Sequence, residues 1–154
     1  MVLKQNKKFA LVSLVLAVIL MCVIFYLSNQ PDYQSEELSQ SLVTRILHWF
    51  HINVSELFVR KTAHVGEYAL LAFLLSNTFY NFSVKRWCLF STVIAVLYAC
   101  SDEIHQLFIP GRSGEVLDVI IDTSGAILGV LIYLSVLKII KSVRRRKNVR
   151  NSSV

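Results

Sequence analysis

Cysteine is scarce in this 154-residue sequence, with three residues, Cys22, Cys88 and Cys100, all inside apolar runs and none in a C-x-x-C spacing. That excludes a disulfide framework and a thiolate metal site, and predicts small buried hydrophobes at all three positions. With only two prolines and five glycines, the chain has no linker or low-complexity stretch away from its termini. Charged residues make up 17%, short of the roughly 25% of soluble domains. Against these shortages stands a hydrophobic content of 55%, gathered in a few long runs. Disorder is excluded, an ordinary soluble domain is disfavoured, and lipid is the expected solvent.

Four apolar runs are long enough to cross a membrane. Residues 9–27 would rise about 28 Å as a helix, close to the hydrocarbon thickness. This run exceeds a signal-peptide h-region and no A-x-A-like site follows it, so it reads as a retained span. Residues 59–80, 87–108 and 116–137 supply the other three. The expected fold is all-α: one membrane domain over residues 1–154, a four-helix bundle with both termini on one side. No internal repeat is visible.

Charge sets the orientation. With the termini and the 81–86 turn inside, twelve of the sixteen Lys and Arg residues lie inside, and only Arg45, Arg60, Lys61 and Arg112 lie outside. The positive-inside rule therefore makes that side cytoplasmic. All ten acidic residues fall on the outer side or in the outer halves of spans. Topology accounts for the formal charge of +6, so nucleic acid is not an expected partner. The basic tail, 138–154, reads as an inner-leaflet anchor drawn to anionic lipid.

Between the first two spans, residues 35–50 place Leu38, Leu42, Val43, Ile46, Leu47, Trp49 and Phe50 at helical spacing opposite Gln40, Ser41, Thr44, Arg45 and His48. Ser35 is a candidate N-cap, with Glu36 and Glu37 well placed against the helix dipole. Such a segment would lie on the outer membrane surface. Asn53 with Glu56 is a candidate cap for the second span.

Polar residues interrupt three spans at one expected depth. The second carries Lys61, His64, Glu67 and Tyr68 on one helical face. The third ends in Ser101, Asp102, Glu103, His105 and Gln106, with Asp102, His105 and Gln106 sharing a face. Glu115, Asp118 and Asp122 open the fourth. An unpaired charge at mid-bilayer depth costs at least about 2.5–3.5 kcal/mol, so these groups must pair with one another or line water. Glu67, Asp102, Glu103, Glu115, Asp118 and Asp122 outnumber Arg60, Lys61 and Arg112. That acidic excess wants a proton, a metal or a cationic ligand.

The connection 108–114 contains Pro110-Gly111, suited to a type II turn, which carries Arg112 back over the cluster. There it either bonds Asp102, Glu103 or Asp118, or grips a phosphate or carboxylate beside the start of the fourth helix. Gly125 and Gly129 form a G-x-x-x-G face suited to close packing within the bundle.

Arg60-Lys61-Thr62-Ala63-His64-Val65-Gly66-Glu67-Tyr68, then Ser101-Asp102-Glu103-Ile104-His105-Gln106, then Pro110-Gly111-Arg112-Ser113 with Asp118, Asp122 and Gly125 together resemble the motifs of the VanZ-like family of bacterial membrane proteins. The three blocks in order, from about Arg60 to Gly129, carry the resemblance. It implies a multi-pass protein of the bacterial plasma membrane with a role in low-level resistance to teicoplanin. That glycopeptide antibiotic binds cell-wall precursors outside the membrane. Lys61, His64, Glu67, Tyr68, Asp102, Glu103, His105, Gln106, Arg112, Asp118 and Asp122 match the family's polar motifs.

Two readings follow. In the first, the outer face binds an envelope lipid, a lipid-linked cell-wall precursor or the glycopeptide. Arg112 and Lys61 hold the anionic group, and the acids organise the cations. In the second, His64, Glu67, Asp102, Glu103, His105 or Asp118 supply acid–base or metal chemistry on a lipid-linked substrate. No H-E-x-x-H or other tight metal motif is present, and no metal or other cofactor is expected. Four spans leave little room for alternating access, which disfavours a transporter.

Overall fold

A computed structural model describes residues 5–31 and 56–152. It contains α1 (Lys7–Ser28), α2 (Glu56–Asn81), α3 (Trp87–Gln106) and α4 (Val116–Ser152), and no strand among the described residues. The expected surface helix at 35–50 and the Asn53 cap lie outside the described residues.

The helices alternate in direction. Asn6, before α1, meets Asn81 at the end of α2, and Asn29, after α1, meets His105 at the end of α3. The four expected spans correspond to the four helices. The basic tail differs: α4 does not stop at Leu137 but runs on as one helix to Ser152, because neither glycine nor proline interrupts residues 130–154.

α2 is the centre of the bundle and packs against all three other helices. Among the described residues, only α1, α3 and α4 are long and apolar enough to cross a membrane by composition. α2 has the length, 26 residues, but Lys61, His64 and Glu67 near one end and Asn77 and Asn81 at the other lower its hydropathy. Its partners shield these groups from lipid, so the helix that looks least like a span is the one the others surround.

The burial pattern is that of a protein in lipid. The interior is small and partly polar, with Ala10, Ser13, Ala17, Ala72, Ser76, Ser91, Ala95, Ala99 and Ala126 buried. Large apolar side chains such as Phe9, Leu16, Ile19, Leu97, Ile120 and Leu131 point outward. In a bilayer there is no gain from hiding leucine, and small residues let backbones approach closely. Cysteine follows the same logic. Cys22 is exposed and Cys88 and Cys100 are half-buried, against the expectation of burial, because apolar surface costs nothing in lipid.

Gly125 and Gly129 set the α2–α4 contact. A Cβ on Gly125 would lie 2.5 Å from the Val65 carbonyl oxygen, and one on Gly129 would overlap the Ala69 carbonyl. The expected intramolecular G-x-x-x-G packing is what the structure contains. At the α2–α3 turn, Ser83 adopts a left-handed φ of 65°. Val84 N–H bonds Phe79 C=O at 3.0 Å, a Schellman-type helix ending that usually takes glycine.

Candidate functional site

The outer cluster forms where the N-termini of α2 and α4 meet the C-termini of α1 and α3. Pro110 and Gly111 make the expected turn: Gly111 has φ 81°, and Arg112 N–H bonds Ile109 C=O at 3.1 Å. A side chain on Gly114 would overlap the Glu103 carbonyl and press on Leu107, so this glycine lets the connection fold flat against α3. Arg112 is thereby returned over the bundle, and its Nη2 donates to Leu27 C=O at 3.4 Å.

Glu103 Oε2 accepts from Glu115 N–H at 2.9 Å, a carboxylate near the positive end of the helix dipole. The amide just before α4 is therefore bonded to the chain's own acid. Gln106 Nε2 ties the acids of α3 together, donating to Asp102 Oδ2 at 3.2 Å and to Glu103 Oε1 at 3.4 Å. Asp102, Glu103 and Gln106 are buried.

Three further sequence expectations are refined. Asp102 and Gln106 share a buried face, but His105 turns toward α1, where its ring stacks on Phe25 with centroids 4.7 Å apart and its Nε2 lies 3.2 Å from Asn29 Oδ1. Lys61 Nζ is bonded to Asp118 Oδ1 and lies 3.9 Å from Glu115 Oε2, so it is occupied by two carboxylates. Arg60, expected only as a nearby cation, lines the cavity beside Arg112.

That cavity measures about 60 Å³ and is lined by Arg60, His64, Gln106, Arg112, Ser113, Glu115 and Asp118, with Gly111 at its edge. His64 connects it to a deeper layer. His64 Nδ1 lies 3.5 Å from Asp122 Oδ1, and Asp122 is fully buried. Apart from that contact, neither oxygen of Asp122 has a hydrogen-bond partner among the described residues, nor does the buried Tyr68 hydroxyl. Glu67 is half-buried on the same face of α2. No group of three or more His, Cys, Asp or Glu side chains among the described residues is arranged to hold one metal ion.

A second polar cluster, at the opposite end, went unread in the sequence. Asn77 Nδ2 donates to Ser13 Oγ at 2.5 Å, while Asn77 Oδ1 accepts from Asn81 Nδ2 at 2.9 Å and from the Tyr133 hydroxyl at 3.1 Å. Tyr133 is edge-on to Phe73 and Trp87, each at 5.3 Å. Its signal was Asn77 and Asn81, one helical turn apart in an apolar run.

A family model described as VanZ/LLP1 matches residues 13–140. No curated protein and no solved structure matches the chain.

Proposed function

This chain belongs to the VanZ/LLP1 family, and from that premise we propose that it is a bacterial plasma-membrane protein whose outer cavity takes the anionic head of an envelope lipid or lipid-linked cell-wall precursor. Occupancy of that cavity changes how a teicoplanin-type glycopeptide reaches the precursor. The observation that carries the reading is the pair of guanidinium residues, Arg60 and Arg112, lining one small polar cavity. Guanidinium forks suit phosphate and carboxylate. The size chooses among ligands. A water needs about 10–15 Å³ of cavity, so about 60 Å³ admits a few waters or one phosphate-sized group and is far too small for a whole glycopeptide.

The test compares teicoplanin and vancomycin susceptibility in a Gram-positive host expressing wild type, Arg112→Ala, Arg112→Lys, Glu103→Gln or no protein, with membrane abundance measured by immunoblot. The expected result is lowered teicoplanin susceptibility with wild type, lost in Arg112→Ala and weakened in Arg112→Lys at equal abundance. No change with well-inserted wild type overturns the resistance role.

A second reading rests on the buried His64–Asp122 contact and the Tyr68 hydroxyl beneath the cavity. Buried titratable groups left short of partners are a pattern of acid–base sites. In this reading the cavity holds the head group while His64 exchanges a proton with it. Turnover of a lipid phosphate by reconstituted wild type, abolished in Asp122→Asn with head-group binding intact, favours the enzyme. Binding without turnover favours the first reading.

A further inference from the structure

At the far end of the bundle from the outer cluster lies a larger cavity, about 820 Å³, between the first turn of α1, the last turns of α2 and the middle of α4. Its lining is amphiphilic. Lys7, Lys8 and Arg144 supply positive charge, and no acidic residue lines it. Along α4, Ile140, Leu137 and Val136 form an apolar strip that leads from Arg144 back toward the membrane centre, with Phe73 of α2 facing the same space.

The neutral polar groups between these two parts are already engaged. Asn77 bonds Ser13, Asn81 and Tyr133, and Asn81 Oδ1 accepts from Asn6 N–H at 3.0 Å. The three cations are different: all are exposed, and among the described residues no ion pair neutralises them. The charge pattern of the whole chain puts this end at the cytoplasmic leaflet, whose anionic lipids attract lysine and arginine at head-group depth. The volume falls within the roughly 300–1,000 Å³ of ligand pockets.

We propose that this cavity is a binding site for one anionic phospholipid of the inner leaflet, with the lipid phosphate held by Lys7, Lys8 and Arg144 and an acyl chain laid along Ile140, Leu137 and Val136. The site is independent of the outer cavity and does not rest on the function proposed for it. It differs from diffuse attraction of a basic tail in being saturable and in depending on three particular cations.

The experiment uses the full chain, purified in a neutral detergent, stripped of lipid and titrated with phosphatidylglycerol or phosphatidylcholine, with bound lipid counted by native mass spectrometry. One phosphatidylglycerol should bind saturably, at least about tenfold more tightly than phosphatidylcholine. The triple variant Lys7→Gln, Lys8→Gln, Arg144→Gln should lose about tenfold in affinity. The triple variant Lys138→Gln, Arg145→Gln, Arg146→Gln removes the same charge outside the cavity and should stay within about twofold. Val136→Trp, which keeps every cation and fills the apolar strip, should also weaken the lipid and covers the case in which the first triple variant does not fold. Equal losses in the two triple variants, or no preference for phosphatidylglycerol, overturn the site. Displacement of the lipid by millimolar inorganic phosphate overturns the lipid as its occupant.

Discussion

At the inner end of the bundle, Asn77 meets three partners on three helices, and every group in the network is neutral. At the outer end, Asp122 is fully buried with a single contact, 3.5 Å to His64, and Tyr68 is buried with its hydroxyl unmatched. Both ends bring polar groups from several helices together at similar depth. The inner network joins its side chains by direct hydrogen bonds, as a structural network in lipid does, although Ser76 Oγ beside it is buried without a partner among the described residues. The outer end buries titratable groups short of partners, Asp122 and Tyr68 among them, and the function proposed above draws on that difference.

Substitutions separate the two ends by their effect on stability. The largest change belongs to neither. Gly129→Val would drive its side chain into the Ala69 backbone, prise α4 from α2 and thereby disrupt both ends; a loss of about 3 kcal/mol is expected, seen as missing monodisperse protein on detergent gel filtration. Asn77→Ala breaks the inner network and should cost about 1 kcal/mol, read as a lower Tm, with teicoplanin susceptibility unchanged at matched abundance. Gly66→Ala offers a control on the same helix. A Cβ there meets nothing within 4 Å, so the substitution should stabilise by about 0.5–1 kcal/mol through helix propensity. Asp122→Asn should have the smallest effect on Tm, because asparagine has the same shape and its Oδ1 can keep the His64 contact. On the acid–base reading it should nevertheless abolish turnover, with head-group binding intact. A large drop in its Tm would break the comparison by making Asp122 a structural residue.

Much of the bundle was legible because lipid imposes a simple rule: a run of about twenty apolar residues with no water to satisfy its backbone must be a helix. The Pro110-Gly111 turn and the Gly125/Gly129 approach were legible for local reasons, since each needs backbone freedom that the sequence displays. Which polar side chains would meet was only partly so. Helical spacing put Asp102, His105 and Gln106 on one face, but it does not say that α1 passes close enough to draw His105 to Phe25 and Asn29. Nor does spacing reveal that two carboxylates engage Lys61, or that Arg60 lines the cavity with Arg112. The Asn77 network was missed because neutral amides carry no charge excess to flag them.

The uninterrupted length of α4 changes what its basic end does. At 1.5 Å per residue, its 37 residues reach about 55 Å, well past a hydrocarbon core of about 30 Å. A helix standing along the membrane normal therefore lifts Lys147 about 14 Å beyond Lys138. Ionic screening at physiological salt has a decay length of about 8 Å. On that placement Lys138, Lys141 and Arg144 would lie within about one such length of the lipid surface, whereas Lys147 would be largely screened from it. The tail would then be less an anchor spread on the leaflet than a mast whose lower rungs alone touch it. The membrane attraction it contributes should consequently be set by the first two turns beyond the core, not by the total number of its basic residues.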